Sequence, residues 1–406
     1  MLFGFKAAPL VMGRLSAAIG RLVQSLFHPA AGQVQVYIDD VALILRGSEE
    51  FRNLQLSKVL YVLAAFGVQV AMAKGERGRR ITWIGTTFEL KAHKVILGTP
   101  KKMVDEINAT LTQWMGKGMV PTKELRSFVG KLSWIAGIIP RVRWTVSALY
   151  AVLTKALQDD EMEEQRAKNR PDKRPKIGLV ATKRMGTTLP WLRALFEEPD
   201  KLLIRSEPFE EKEPMWGVVT DASPKGIGGV IIHKTNFNGQ WYIMEAFEVP
   251  LMAHQAASLE IEFEQASGQA VLEGLAVLQA LQIWAPKIQG GPVLIRSDSS
   301  VALAMTKKMA SPTKTLNFIA AEIAILLEQA QITRLVPQHV PGRMNVEADW
   351  LSRPGERGSM PEGLHNVKIR RTSAWSERNT TLAPPGVKDS PWIQSMPRPV
   401  GGFDSL

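Results

Sequence analysis

Six acidic residues of this chain sit in segments where acids are expensive: Asp39, Asp40, Asp221, Glu273, Asp298 and Asp349. Asp39 and Asp40 are adjacent at the centre of VYIDDVALIL, an otherwise apolar run rich in β-branched residues. Such a run reads as strand, and a carboxylate buried in it without a cation is costly. The pair therefore marks either a solvated turn between two strands or a hairpin tip that presents carboxylates to a divalent ion. No Gly, Asn or Pro is at hand to build an ordinary two-residue turn. Further along, Asp221 lies late in MWGVVTDA, Glu273 in VLEGLAVLQAL, Asp298 at the end of VLIRSDSS and Asp349 in NVEADWLSR. Four carboxylates brought together from separate elements repel one another unless divalent cations lie between them. Two such ions ~3.5–4 Å apart can activate water and stabilise the leaving oxygen in phosphodiester hydrolysis. Taken singly, each acid also reads as a cap or turn residue, and Asp298 before Ser299 and Ser300 is a ready N-cap.

The rest of the composition narrows the ligand. The chain has no Cys and only 6 His in 406 residues. Disulfides and zinc–thiolate sites are excluded, and oxygen donors select Mg²⁺ or Mn²⁺. A formal charge of +11 points to a polyanionic partner, most simply nucleic acid. Every apolar run is broken by charge, Gly or Pro before it reaches bilayer length, and the N-terminus lacks a signal-peptide layout. Absence of Cys fits an intracellular protein, in cytoplasm or nucleus.

The elements that must position these acids can be read from periodicity. Residues 1–30 read as helix, the VYIDDVALIL hairpin comes next, and residues 49–66 read as a second helix. Residues 68–72 and 81–90 read as strands on either side of the basic turn GERGRR. Thr99 and Pro100 form a helix start, with Met103, Ile107, Leu111 and Trp114 on one face. A further helix from Thr122 turns Leu125, Phe128, Val129, Leu132 and Ile135 inward. Residues 158–176 are almost wholly charged and read as an exposed linker or insertion. From Pro214, three successive strands precede a long helical stretch ending at Trp284, followed by strand, two helices, strand and a short helix near Asn345. That order predicts a mixed five-stranded sheet covered by helices. Beyond Arg353 the Pro-, Ser-, Arg- and Gly-rich chain reads as a disordered tail.

TDASPKGIGGVI, VLEGLAVLQAL, RSDSSVALA and HVPGRMNVEADWLSR, in this order, resemble the ribonuclease H domain of retrotransposon reverse transcriptases. The resemblance implies that Asp221, Glu273, Asp298 and Asp349 are the catalytic, metal-binding carboxylates. Glu260, Glu262 and Glu264 lie upstream of Glu273, but only Glu273 has the following Leu, Ala and Leu at the family's spacing. His339 is the one candidate for the mobile His of many cellular relatives, and it receives no role. YIDD is similar to the YxDD turn of reverse transcriptases, which implies that Asp39 and Asp40 bind catalytic Mg²⁺ there. LFGFKAAP at residues 2–9 is similar to the segment that contacts incoming nucleotide and template. On that likeness Phe3 and Gly4, with Tyr37 and Lys74, are substrate-binding, and WIG at residues 83–85 resembles the primer-grip hairpin.

The resemblance implies an α+β and α/β multidomain chain. A partial palm covers residues 1–98, thumb-like helices 99–157, a charged connection 158–213, a ribonuclease H-like domain 214–355 and a disordered tail 356–406. In the family, fingers and a first palm strand with another metal-binding Asp precede LFGFKAAP. The expectation is therefore an N-terminally truncated retroelement polyprotein fragment. It would cleave RNA in RNA–DNA hybrids with Mg²⁺ or Mn²⁺, bind template-primer nucleic acid, and have lost DNA polymerisation. The competing expectation is an inactive retroelement remnant that binds nucleic acid through its basic surface.

Overall fold

A computed structural model describes residues 6–28, 30–168, 177–186, 188–197 and 199–371. The chain divides into two compact units, one of residues 1–100 with Ser206–Phe209 and the other of Lys101–Arg205 with residues 210–406.

In the first unit, α1 (Ala8–Ser25) has Pro9 in its first turn, where no N–H is needed. Strands β1 (Gly32–Tyr37) and β2 (Asp40–Leu45) form an antiparallel hairpin. Helix α2 (Glu49–Ala65) starts at Ser48, whose hydroxyl accepts the Phe51 N–H at 3.2 Å. Val23, Phe27, Val59 and Leu63 close a small core over Val34, Leu43 and Leu45 of the hairpin. Residues 68–72 do not form the expected strand; they lead into a 3₁₀ turn, Met72–Lys74, instead. Val68 packs on the small core, while Val70 and Met72 are exposed. The expected strand at residues 81–90 is a hairpin of β3 (Arg80–Trp83) and β4 (Thr86–Leu90). Ile84 and Gly85 turn it with φ of 42° and 72°, the paired positive φ of a type I′ turn. Strand β5 (Lys94–Gly98) extends this sheet.

The second unit begins with α3 (Lys101–Met115), β6 (Met119–Pro121), α4 (Thr122–Ile138) and α5 (Arg143–Lys168). Strand β7 (Leu179–Ala181) pairs with β6, and α6 (Thr188–Glu197) and α7 (Pro199–Leu202) come after it, followed by β8 (Ile204–Pro208), whose residues from Ser206 on belong to the first unit. Residues 158–168 are thus the end of a helix and not a linker. Lys155 and Asp159 pair at 3.2 Å and Glu163 and Arg166 at 2.9 Å. Charges spaced by three or four residues support a helix, whereas charge density alone suggests exposure. Residues 169–176 of the expected linker lie outside the described residues. Within the rest of the expected connection α6 is packed, with Trp191, Leu192, Leu195 and Phe196 buried, while residues 208–213 are exposed.

The sheet of this unit is built from β9 (Trp216–Ser223), β10 (Gly226–Lys234) and β11 (Trp241–Pro250), with α8 (Ala253–Ser258) and α9 (Gln269–Ile288) behind them in the chain. Then come β12 (Pro292–Ser297), α10 (Ser300–Lys308), α11 (Lys314–Gln329), β13 (Arg334–His339), α12 (Val346–Ser352) and β14 (Lys368–Arg371). The strand order is β13-β12-β9-β10-β11-β14, with β9, β10 and β11 antiparallel and β12 parallel to β9. Helices α9 and α11 cover one face through a core containing Leu275, Leu278, Trp284 and Ile319, while α12 packs on the other beside Val230, Ile232 and Leu294. Asn317 of α11 ties the sheet to the preceding helices by donating to the Trp144 carbonyl of α5 at 2.9 Å.

Two expectations change here. The long helical stretch is broken between α8 and α9 by a loop in which Glu260 and Glu264 both take φ of 57°. The sheet has six strands, because residues 368–371 of the expected disordered tail pair in parallel with β11. Composition gives little sign of this short strand because, beyond Ile369 packing on the core, ion pairs with distant residues hold it. Arg371 meets Glu248 at 2.8 Å and Arg370 meets Glu245 at 3.1 Å. Arg357 lies 4.3 Å over the Trp350 ring and 2.6 Å from Glu248. Residues 372–406, the remainder of the expected tail, lie outside the described residues. Arg357→Ala removes one partner of a largely buried ion pair and should destabilise the second unit by about 2–4 kcal/mol, measured by urea denaturation.

Candidate metal-binding site

The parallel register of β9 and β12 brings two acids together. Arg296 pairs with Val219, so two residues further Asp298 falls beside Asp221, at the carboxyl ends of adjacent strands. Glu273, one turn into α9, completes the group. Carboxylate oxygens of Asp221, Glu273 and Asp298 all lie within 4.8 Å of one another, with the first two buried and the third half-buried. Among the described residues this is the only group of three or more His, Asp or Glu so arranged.

Glycine makes the approach of α12 possible. Gly228 pairs with Asp221 across β9 and β10, and a Cβ there would lie 2.5 Å from Leu351 and 2.7 Å from the Ser352 nitrogen. No larger residue fits without displacing α12. The helix therefore lies directly on the strand, and the Ser352 hydroxyl reaches Asp221 Oδ2 at 2.6 Å. Buried Asn345 donates to the Thr220 carbonyl at 3.1 Å and lies 3.5 Å from Asp221 Oδ1. On α9, Gln269 donates to Glu273 Oε1 at 2.8 Å and to the Ala222 carbonyl at 2.6 Å. Ser352, Asn345 and Gln269 are not among the residues singled out from sequence. Helical spacing carries a signal for two of them, Ser352 being three residues from Asp349 and Gln269 four from Glu273.

Burial pushes the Asp221 carboxyl up to about 6, and the nearby Asp298 and Asp349 charges add to the rise. Glu273 is pushed up to about 8, by burial first and then by Asp221. Its Oε2 is buried with no hydrogen-bond partner. A crowded, all-oxygen donor set with an orphaned buried oxygen fits a hard divalent cation such as Mg²⁺ or Mn²⁺.

The other expected site residues stand apart from this group. Asp349 lies on α12 outside the three-carboxylate cluster, its Oδ1 accepting Nε and Nη2 of Arg353 at 2.9 and 2.7 Å. Asp39 and Asp40 are exposed at the β1–β2 turn, where Tyr37 pairs with Asp40 and Ile38 and Asp39 form the two-residue loop. Ile38 takes φ of 54°, a conformation that strains a β-branched residue. Ser16 Oγ holds the turn by donating to the Ile38 carbonyl. Tyr37 is 52% exposed and Lys74 ends the 3₁₀ turn. Phe3 and Gly4 lie outside the described residues. Glu260, Glu262 and Glu264 are all exposed before α9, and the His339 ring lies 3.2 Å from the Asp298 carbonyl.

No family model matches this chain, and no curated protein matches it. Among solved structures it is similar to a foamy viral protease-reverse transcriptase in complex with dsDNA, at 14% identity and a TM-score of 0.37, covering 84% of this chain and 60% of that one. A second foamy viral protease-reverse transcriptase structure with ds DNA matches at 14% identity and a TM-score of 0.36, covering 81% of this chain and 48% of that one. LC11-RNase H1 in complex with RNA/DNA hybrid matches at 23% identity and a TM-score of 0.25, covering 34% of this chain and 92% of that one. The chain thus spans 48% to 60% of these foamy viral proteins. Scores this low leave any assignment of function to the residues themselves. No described helix is long and apolar enough to cross a membrane.

Raised carboxyl pKa values mean that the folded state binds protons more tightly than the unfolded chain. Without metal, the stability they contribute is greatest when both groups are protonated. It is lost as pH rises from about 4 through the folded values of about 6 and 8. Buried Glu322, raised to about 8, adds a slope of the same sign, so the difference between wild type and Glu273→Gln isolates the site. Melting temperature in a chelator should fall over this range in wild type and less steeply in Glu273→Gln, and Mg²⁺ should restore wild type at high pH.

Proposed function

We propose that this protein is a divalent-metal-dependent nuclease of the ribonuclease H type that cuts RNA in RNA–DNA hybrids. One observation carries the reading: Asp221, Glu273 and Asp298, from three separate elements, converge within 4.8 Å, and they are three of the four acids that the motifs single out. Asp221, Glu273 and Asp298 would hold the cation, with Asp349 as the fourth carboxylate. The chemistry a bound cation supplies is acidification of a water and neutralisation of charge on the scissile phosphate. Ser352 and Gln269 orient Asp221 and Glu273 by their hydrogen bonds, so the ligands are fixed before substrate arrives. The buried walls of the site keep competing water away from Glu273.

The division of the chain into palm, thumb and nuclease, its retroelement origin, and the roles of Asp39, Asp40, Tyr37 and Lys74 in a polymerase site belong to the same proposal. The polymerase-site roles are supported by YIDD standing at a hairpin turn. Among the described residues that turn joins no group of three acids. Lys101, Lys102, Lys117, Lys123 and Arg126 are exposed on or between α3 and α4 and are available to phosphates. Lys131, on the same helices, is tied to Glu106 at 2.6 Å.

Asp298→Asn should keep the fold and reduce hybrid cleavage by at least about 100-fold, because an amide is a poor ligand for a hard cation. Cleavage by this variant at the wild-type rate, in a preparation free of other nucleases, would falsify the assignment. Binding without cleavage by wild type would favour a nucleic-acid-binding protein without turnover. In either case hybrid affinity should fall steeply between ~50 and ~200 mM salt through counterion release. Lys102→Ala with Lys123→Ala should flatten that slope by about one unit for each phosphate no longer neutralised. Fluorescence anisotropy across a salt series measures this.

A further inference from the structure

Asp349 already holds a cation. Both Nε and Nη2 of Arg353 donate to its Oδ1, at 2.9 and 2.7 Å, across one turn at the end of α12. The same acid stands outside the group formed by Asp221, Glu273 and Asp298. It is nonetheless close enough to Asp221 for its charge to act there, and the Arg353 charge acts there with opposite sign. The Ser352 hydroxyl links α12 to the site, donating to Asp221 Oδ2 at 2.6 Å and lying 2.9 Å from the backbone carbonyl of Asp349 one turn earlier. The Asp349–Arg353 pair is thus at the border of the site, outside the three-carboxylate group. Its side chains are 44% and 50% exposed. Exposed pairs of this kind are weak and open easily in water, whereas a divalent ion binds an oxygen ligand with twice the charge and no side-chain ordering of its own.

We propose that Arg353 is a positioning residue that competes with a divalent cation for Asp349, so that the fourth carboxylate joins the site only when its ion pair opens. This rests on the proposed nuclease reading for its purpose, but its physical content is metal binding alone. In the metal-free protein the guanidinium spares Asp349 from facing three other acids without compensation. On metal binding the carboxylate exchanges one cation for another, and α12 need not move, because Gly228 and Ser352 keep it on β10 and Asp221.

The test measures Mn²⁺ affinity of the full chain by calorimetry, without nucleic acid. Arg353→Met removes the competitor and keeps the stem, and should bind Mn²⁺ about two- to five-fold more tightly than wild type, the range expected for losing an exposed pair. In an Asp349→Asn background the same substitution should change affinity by less than about 1.5-fold, since the partner is gone. Unchanged or weaker binding by Arg353→Met overturns the proposal. So does equal tightening in both backgrounds, which would mean that the guanidinium acts only as a distant charge. Should Arg353→Met lower the melting temperature, Arg353→Gln replaces it under the same criteria. Loss of cleavage in Asp298→Asn tests the nuclease reading separately, so either result can fail while the other stands.

Discussion

The repulsion among Asp221, Glu273 and Asp298 is the constraint around which the second unit is organised. Three carboxylates within 4.8 Å of one another, two of them buried, are unfavourable when charged. The fold meets part of this cost with neutral donors, Ser352 on Asp221 and Gln269 on Glu273. It leaves Glu273 Oε2 with no partner at all. Burial raises the Asp221 and Glu273 carboxyls to hold protons when no cation is bound, and the frame that keeps the group together is the sheet with α9 and α12 fixed on its two faces.

Close helix approach at two glycines adds to the rigidity that the large core of this unit supplies. Gly228 sits opposite Asp221 and lets Leu351 and Ser352 of α12 lie against β10. On the other face Gly274, next to Glu273, brings α9 against Leu316 of α11, where a Cβ would lie 2.9 Å from the Leu316 side chain. Each glycine is adjacent in sequence or in register to an acid of the site. The segment after α12 then folds back, with Arg357 on Trp350 and the β14 arginines on Glu245 and Glu248. Trp350, the immediate neighbour of Asp349, is thereby tied to the outer strands of the sheet.

The first unit handles its acids differently. Asp39 and Asp40 are exposed at a two-residue turn whose first central position is Ile38 at positive φ. Such strain costs about 1–3 kcal/mol and persists only where surrounding structure holds it. Ser16 supplies one such restraint from α1. This turn places two carboxylates in water, whereas the second unit buries Asp221 of its sheet and Glu273 of α9 in the interior.

Much of the site could be read from the chain itself. An acid at the end of an apolar strand, repeated in two strands with a third in a helix between them, is a pattern set by local periodicity, and periodicity is a local property. The helices from Lys101 to Ile138 and the strands from Trp216 to Pro250 were legible for the same reason. What only tertiary structure decided were facts of register and partner. That Asp298 stands beside Asp221 depends on how β12 pairs with β9, and a shift of one residue would have turned it to the other face. That Lys368–Arg371 is a strand depends on Glu245 and Glu248, more than a hundred residues away, because charge in a short segment says nothing about where its counter-charge lies. That Asp349 is held by Arg353 outside the group of three depends on the angle at which α12 meets the sheet, and sequence alone gives the spacing of two residues but not the direction in which they point.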